Sequence, residues 1–249
     1  MIRILTIFAI TVLFPNISKA QTNDMAVEIA SDHIDITVGF AGATIELFGS
    51  RADKNTKIAI AVEGPKKDIT VWRKERVLGA WMNRYFVTFN DLPAYYQYAV
   101  SHDNDTDEFI AVLNDNGIGN AALIAATTIK KSKKIKDITP FTSSLLQKKT
   151  NAALYFDKPS EFKFINDNFF RVQFSIPPSA MTGEYKIHSY LIKNGEIIQH
   201  NENTLEVKQV GLNASIVKSS KDYSFFYALL CITLGLFSGW FVSVIKVRP

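Results

Sequence analysis

The chain has 249 residues, with 28 lysines and arginines against 24 aspartates and glutamates, four histidines and a single cysteine. So slight a positive excess is not the balance of a nucleic-acid binder. One cysteine cannot build a disulfide framework, so any core must be held by packing alone.

The N-terminus carries Arg3, an apolar stretch of about 11 residues from 4 to 14, and Ser18-Lys19-Ala20 before Gln21, the layout of a secretory signal peptide. Residues 1–20 are assigned to it, because the stretch is too short to span a bilayer and Pro15 breaks it. Removing them takes away Arg3 and Lys19 and no acid, so 28 − 2 = 26 basic residues face 24 acidic ones, a net charge of +2. The expected destination of the rest is the bacterial periplasm, where disulfides are permitted but this sequence forgoes them.

From Met25 to about Ser101 the apolar residues recur with period two: Ile34 and Ile36, Ile45 and Leu47, Ile58, Ile60 and Val62, Ile69 and Val71, Tyr85, Val87 and Phe89. That spacing sends alternate side chains to opposite faces of a strand. Turn residues punctuate it at Ala41-Gly42, Gly64-Pro65 and Asn90-Asp91-Leu92-Pro93. Residues 21–104 are therefore expected to form an immunoglobulin-like β-sandwich.

Residues 105–151 change character and read as a helical insert or linker. Helical spacing covers 107–113 and 120–131, and Thr139-Pro140 opens a third helix through Lys149 as N-cap and N1. Asp103-Asn104-Asp105-Thr106-Asp107 matches the first half of a calcium-binding loop. Glu108 then replaces the glycine and Asn114 the bidentate glutamate such a loop requires, so the acids are read as caps for the following helix. The lysines at 130, 131, 133, 134 and 136 read as a solvated loop, with an anionic-lipid surface as the alternative.

Alternation resumes at Phe162 and Phe164, Val172, Phe174 and Ile176, Tyr185 and Ile187, Leu205 and Val207, and Asn194-Gly195 signals a type I′ hairpin. Residues 152–211 are expected to form a second, smaller β-sandwich, and 212–222 a juxtamembrane linker. Residues 223–245 contain no Asp, Glu, Lys, Arg or His and, at about 23 residues, suffice to cross a bilayer. Lys246 and Arg248 fall in a cytoplasmic tail of 246–249. The fold class is thus mainly β: two immunoglobulin-like sandwich domains, a helical insert and one C-terminal transmembrane helix.

Nothing in the sequence assembles a known catalytic or metal constellation. His33, His102, His188 and His200 are scattered, and no G-x-S-x-G elbow, Walker loop or C-x-x-C is present, so no catalytic residue, metal ligand or cofactor is assigned. The residues that do invite binding are Trp72, Arg73, Lys74, Arg76, Trp81 and Asn83, which crowd tryptophan and basic side chains into one strand and its turn. With Ile69 and Val71 facing the core, Arg73 and Glu75 fall on that same face, which is costly unless they pair or the strand ends there; an edge strand leaves Trp72, Lys74 and Arg76 as an exposed strip. A solvated basic strand is the plainer alternative. In the anchor, Cys231, Gly235, Gly239 and Ser243 form a row of small residues that would let another helix approach closely.

The run from Gly64 through Trp72, Arg73, Lys74, Glu75, Arg76 and Trp81-Met82-Asn83-Arg84 to Phe89 resembles a family of alphaproteobacterial transmembrane proteins. Gly117-Ile118-Gly119, Thr182-Gly183-Glu184-Tyr185 and the stretch from Leu205 to Gly211 fit the same pattern. The resemblance implies a signal peptide, a periplasmic region and one anchor, no established activity, and a neighbour among sulfite-exporter-like permeases. The expected function is a non-enzymatic accessory or assembly subunit of a membrane complex in the bacterial inner membrane, with a membrane-protein partner or self-association through the anchor. The alternative is a tethered periplasmic module that binds a small anion or sugar at Arg73, Lys74 and Trp81.

Overall fold

The structure is a computed structural model that describes residues 24–101, 107–211 and 220–245. The expected signal peptide, Asp103 to Thr106, most of the 212–222 linker and the 246–249 tail lie outside the described residues.

Two sheets carry the main core. One orders β1 (Met25–Ile29), β3 (Ala43–Arg51), β10 (Phe169–Ile176) and β9 (Phe162–Phe164). The other orders β2 (His33–Ile36), β12 (Glu196–Gln209), β11 (Gly183–Lys193), β4 (Lys57–Glu63) and β7 (Tyr96–Val100). The period-two residues meet between them: Ile45, Leu47, Val172, Phe174 and Ile176 from the first sheet, Ile58, Ile60, Val62, Tyr185, Ile187, Leu205 and Val207 from the second. Gly49 in β3 lets the buried Phe170 ring lie over its backbone, which no residue with a Cβ would permit.

The expected division into a 21–104 sandwich and a 152–211 sandwich does not describe this pairing. β3 pairs with β10 from Ala43↔Ile176 to Ser50↔Phe169, and β4 pairs with β11 from Lys57↔Ile192 to Glu63↔Lys186. Strands from both segments share both sheets and one apolar cluster, because neither segment has enough inward-facing surface to close a core alone. The mainly β composition stands, whereas two immunoglobulin-like domains are not what the ladders form.

A third sheet, β5 (Lys66–Val77), β6 (Ala80–Pro93) and β8 (Ile129–Lys131), grows out of the second. Gly64 donates its N–H to Tyr95 O and Ala94 to Pro65 O, both at 2.8 Å, so the β4–β7 and β5–β6 ladders form one continuous two-stranded ribbon. Gly64 sits at the joint, where a Cβ would come within 3.0 Å of Tyr95 Cβ and 3.1 Å of Tyr185 Cε1. Val87, Phe89 and Leu92 on the proximal ribbon pack against Ile124, Ile135, Phe141 and Leu145.

Helices among the described residues include α1 (Asp107–Asp115), α2 (Asn120–Ala126), α3 (Thr139–Asn151) and the anchor α4 (Ser224–Ile245). Three local expectations change. The helical reading of 120–131 ends at Ala126, and Ile129–Lys131 forms a strand beside β6, where Ile129 joins the helix-covered core. The lysine cluster is not a free loop: Lys130 and Lys131 lie in β8, and the buried Ile135 pins the stretch that follows. At α3 the cap is one residue earlier than expected, with Ile138 in the N-cap position and Asp137 Oδ1 accepting the Thr139 N–H at 2.9 Å.

Candidate functional site

The distal half of the ribbon projects beyond the helices that cover its base. β5 and β6 pair Ile69↔Phe89, Val71↔Val87 and Arg73↔Tyr85, and then the register shifts: Lys74 faces Asn83, and Arg84 is the extra, bulged residue. Because side chains alternate along each strand, the bulge decides which residues share a surface. Trp72, Lys74, Arg76, Trp81, Asn83 and Phe86 fall on one face, and the Trp72 and Phe86 rings meet there at 5.2 Å. Five of the six strip residues expected from sequence are thereby brought together. Arg73 is the exception.

Arg73 lies on the opposite face with Glu75, Arg84 and Tyr85. Its guanidinium is 3.4 Å from Glu75 Oε1 and stacks 4.9 Å from the Tyr85 ring centroid, while Arg84 Nη1 reaches Glu75 Oε2 at 3.0 Å. Pairing, together with the strand's passage beyond the core, resolves the cost of placing Arg73 and Glu75 on the Val71 side. These are exposed pairs of small energetic weight, and they hold the two faces chemically distinct.

The ribbon ends in a two-residue turn at Leu78 (φ 50) and Gly79 (φ 88). Around it the apolar side chains stand in solvent: Leu78 is 104% exposed, Trp81 70%, Met82 54% and Trp72 48%. The strip is an exposed two-stranded surface. Two larger concavities lie elsewhere, one of about 510 Å³ beside Tyr98, Ile110, Asn120 and Asp157, and one of about 540 Å³ beside Glu63, Lys66, Lys186 and His188.

The ribbon's base is fastened by a buried lysine. Lys149 Nζ, on α3, donates to Ala94 O at 2.6 Å and lies 3.4 Å from Pro93 O and 4.9 Å from the Tyr155 ring centroid, while the Tyr155 hydroxyl donates to Pro93 O at 2.8 Å. Burial, with a smaller contribution from Lys67, pushes the Lys149 ammonium down to about 8. Burial likewise raises the Tyr155 hydroxyl, which stays protonated as a donor.

A second cluster was not anticipated. On the outer face of the β11–β12 hairpin, His188 Nδ1 and His200 Nε2 are 3.2 Å apart, Tyr190 stacks on His200 at 4.5 Å, and Glu202 Oε2 is 3.6 Å from His188 Nδ1. Burial holds the His188 imidazole below its usual range, whereas the Lys186 hydrogen bond lowers Glu202. The Asn194-Gly195 turn pairs Lys193 with Glu196 and Ile192 with Ile197, and a bulge at Ile198 then shifts the register by one residue, placing His188 opposite Glu202 and Tyr190 opposite His200; the turn alone would pair them with Asn201 and Gln199, so the hairpin signal does not announce the cluster. Among the described residues no group of three His, Cys, Asp or Glu is disposed to hold a metal ion.

The remaining expected feature is the anchor. Ser224–Val244 is by itself long and apolar enough to cross a membrane, and Cys231, Gly235, Gly239 and Ser243 follow one another at one-turn spacing on it. A Cβ at Gly235 or Gly239 would meet nothing within 4 Å.

Residues 24–248 match the family described as "Putative transmembrane protein", and the chain belongs to that family. No curated protein matches it.

Proposed function

We propose, from membership in a transmembrane family, that this chain is a non-enzymatic accessory or assembly subunit of a membrane complex. α4 holds it in the bacterial inner membrane, and the β region works in the periplasm. The observation that carries this reading is the projecting ribbon, which gathers Trp72, Lys74, Arg76, Trp81 and Asn83 on one exposed face. Exposed tryptophan and arginine suit a protein partner, because buried aromatic and guanidinium anchors dominate binding energy at such interfaces. Neither of the two larger concavities is lined by these residues, which supports that partner over a small anion or sugar, since such a ligand needs a concave site. The small-residue row on α4 offers a second contact within the bilayer, to a partner helix or to a second copy. A sulfite-exporter-like permease is the partner class the family resemblance implies.

Affinity purification of the full-length chain from detergent-solubilised membranes tests both surfaces. Lys74→Glu with Arg76→Glu reverses charge on the aromatic face and is expected to remove the partner, whereas Arg73→Glu on the opposite face is expected to retain it. Gly235→Leu with Gly239→Leu keeps α4 apolar but holds helices apart, and is expected to weaken the same association. If the Lys74/Arg76 and Gly235/Gly239 variants, inserted and folded, both co-purify the same proteins as the unaltered chain, the subunit reading is wrong. Orientation is checked separately: protease added to intact spheroplasts should digest residues 24–211 and spare α4.

A further inference from the structure

The turn at Leu78-Gly79 is unusual for this chain as well as for turns in general. A type I′ turn needs positive φ at both central residues, which asparagine followed by glycine adopts most readily. The other long hairpin obeys that rule, with Asn194 at φ 52 and Gly195 at φ 77. At the ribbon tip the same backbone is imposed on leucine, whose branched side chain disfavours φ 50 and stands wholly in water. Leu78 is therefore unfavourable both in conformation and in solvation. Strain of this kind clusters at functional surfaces, which makes the exposed tip a candidate contact.

We infer that the tip of the ribbon inserts into the surface of an anionic phospholipid bilayer, the bilayer that α4 spans. Leu78 and Trp81 lead the inserting edge, Met82 stands one rung further on the opposite face beside Glu75, and Trp81 supplies the amphipathic ring that favours the headgroup level. Arg76 stands directly opposite Trp81 and Lys74 two rungs further from the tip on the same face, so both basic groups meet phosphate and anionic headgroups while the Leu78 turn alone enters deeper. Charge complementarity thus points to an anionic lipid surface. This inference goes beyond the subunit reading, because it requires lipid alone.

The chain's three tryptophans make the test direct. Full-length protein carrying Trp240→Phe, which silences the anchor, is placed in nanodiscs of phosphatidylcholine with or without phosphatidylglycerol, and Trp72 and Trp81 report. With the anionic lipid the emission should shift to the blue and be quenched by lipids brominated near the carbonyl end of the acyl chain. Lys74→Gln and Arg76→Gln should each lower the inserted-to-free ratio by roughly five-fold. Leu78→Asn with Met82→Asn should abolish quenching while the circular dichroism spectrum is unchanged, since asparagine suits the turn. Emission characteristic of water-exposed tryptophan with no quenching would overturn the inference, as would quenching that persists in the Leu78/Met82 variant. A blue shift that appears only with two chains per disc, without lipid quenching, would assign the tip to a second copy and also overturn it. No partner protein is present in the discs, so these outcomes leave the subunit reading to its own test.

Discussion

Replacing Lys149 with methionine should change how stability depends on pH more than it changes stability at any one pH. Lys149 has an ammonium pKa near 8 in the folded chain, against 10.5 for the free group. The folded state therefore binds fewer protons than the unfolded state between those values, and stability rises with pH across the window. The destabilisation is fully present below pH 8 and vanishes above 10.5. For Lys149 alone the linkage relation gives about 3 kcal/mol at pH 7 to 8, about 2 at pH 9 and about 1 at pH 10, so raising the pH from 7 to 9, before tyrosine ionisation in the unfolded chain opposes it, should add about 1 kcal/mol to the unfolding free energy. The buried tyrosines act in the opposite sense and later. Their folded pKa values lie above 10, so their contribution is intact below pH 10 and is lost above it. The two effects place the stability maximum between about pH 9 and 10. Urea unfolding of the full-length chain in detergent at pH 7, 8, 9 and 10, followed by tryptophan fluorescence, measures the slope. Lys149→Met should flatten it. A slope that is absent in the unaltered chain, or one that survives in the variant, would show that Lys149 is not the desolvated group its contacts with Ala94 O and the Tyr155 ring describe.

Two further outcomes follow from the shared sheets and their tightest contact. Residues 21–104 expressed alone should not fold, because β3 and β4 lose β10 and β11. A protease-resistant fragment with a cooperative thermal transition would contradict the pairing. Gly49→Ala should lower the unfolding free energy by about 1–3 kcal/mol, since the new methyl meets the Phe170 ring as well as Ala26 O at 2.8 Å. Adding Phe170→Leu should recover part of the loss, and strictly additive effects in the double variant would contradict the contact.

What could be read from the sequence was local. Ile45 with Leu47, Val172 with Phe174 and Tyr185 with Ile187 announced both a strand and its buried face, and each does face the core. Asn194-Gly195 announced a turn and the first two rungs of β11–β12, but not the bulge at Ile198 that sets the register of the remaining rungs. Pairing between distant strands carries no such signature. Nothing in a period of two tells β3 that its neighbour is β10, so two runs of strands separated by helices read as two domains. Ile129–Lys131 illustrates tertiary override, because three residues with a helical spacing found a free sheet edge on β6. Lys149 was invisible for another reason. Beside Lys148 in the last turn of a helix it looks like an exposed cation complementing the dipole, yet it is buried beneath the ribbon.

The ribbon face shows how much depends on a single inserted residue. With an uninterrupted ladder beyond Arg73↔Tyr85, Lys74 would stand opposite Arg84 and Arg76 opposite Met82. Trp81 would then be carried to the Glu75 side, and the two tryptophans would lie on opposite faces. Arg84, bulged, absorbs one residue, returns Trp81 to the Trp72 face and itself turns toward Glu75. The aromatic and basic residues are thus collected on one surface by a register shift that propensity does not encode. Lys149 and Tyr155 hold the other end of the ribbon to the sandwich through Pro93 and Ala94. A contact made at the Trp72 face or at the Leu78 tip would therefore bear on the same joint where β4 becomes β5 and β6 becomes β7, and through it on the shared core.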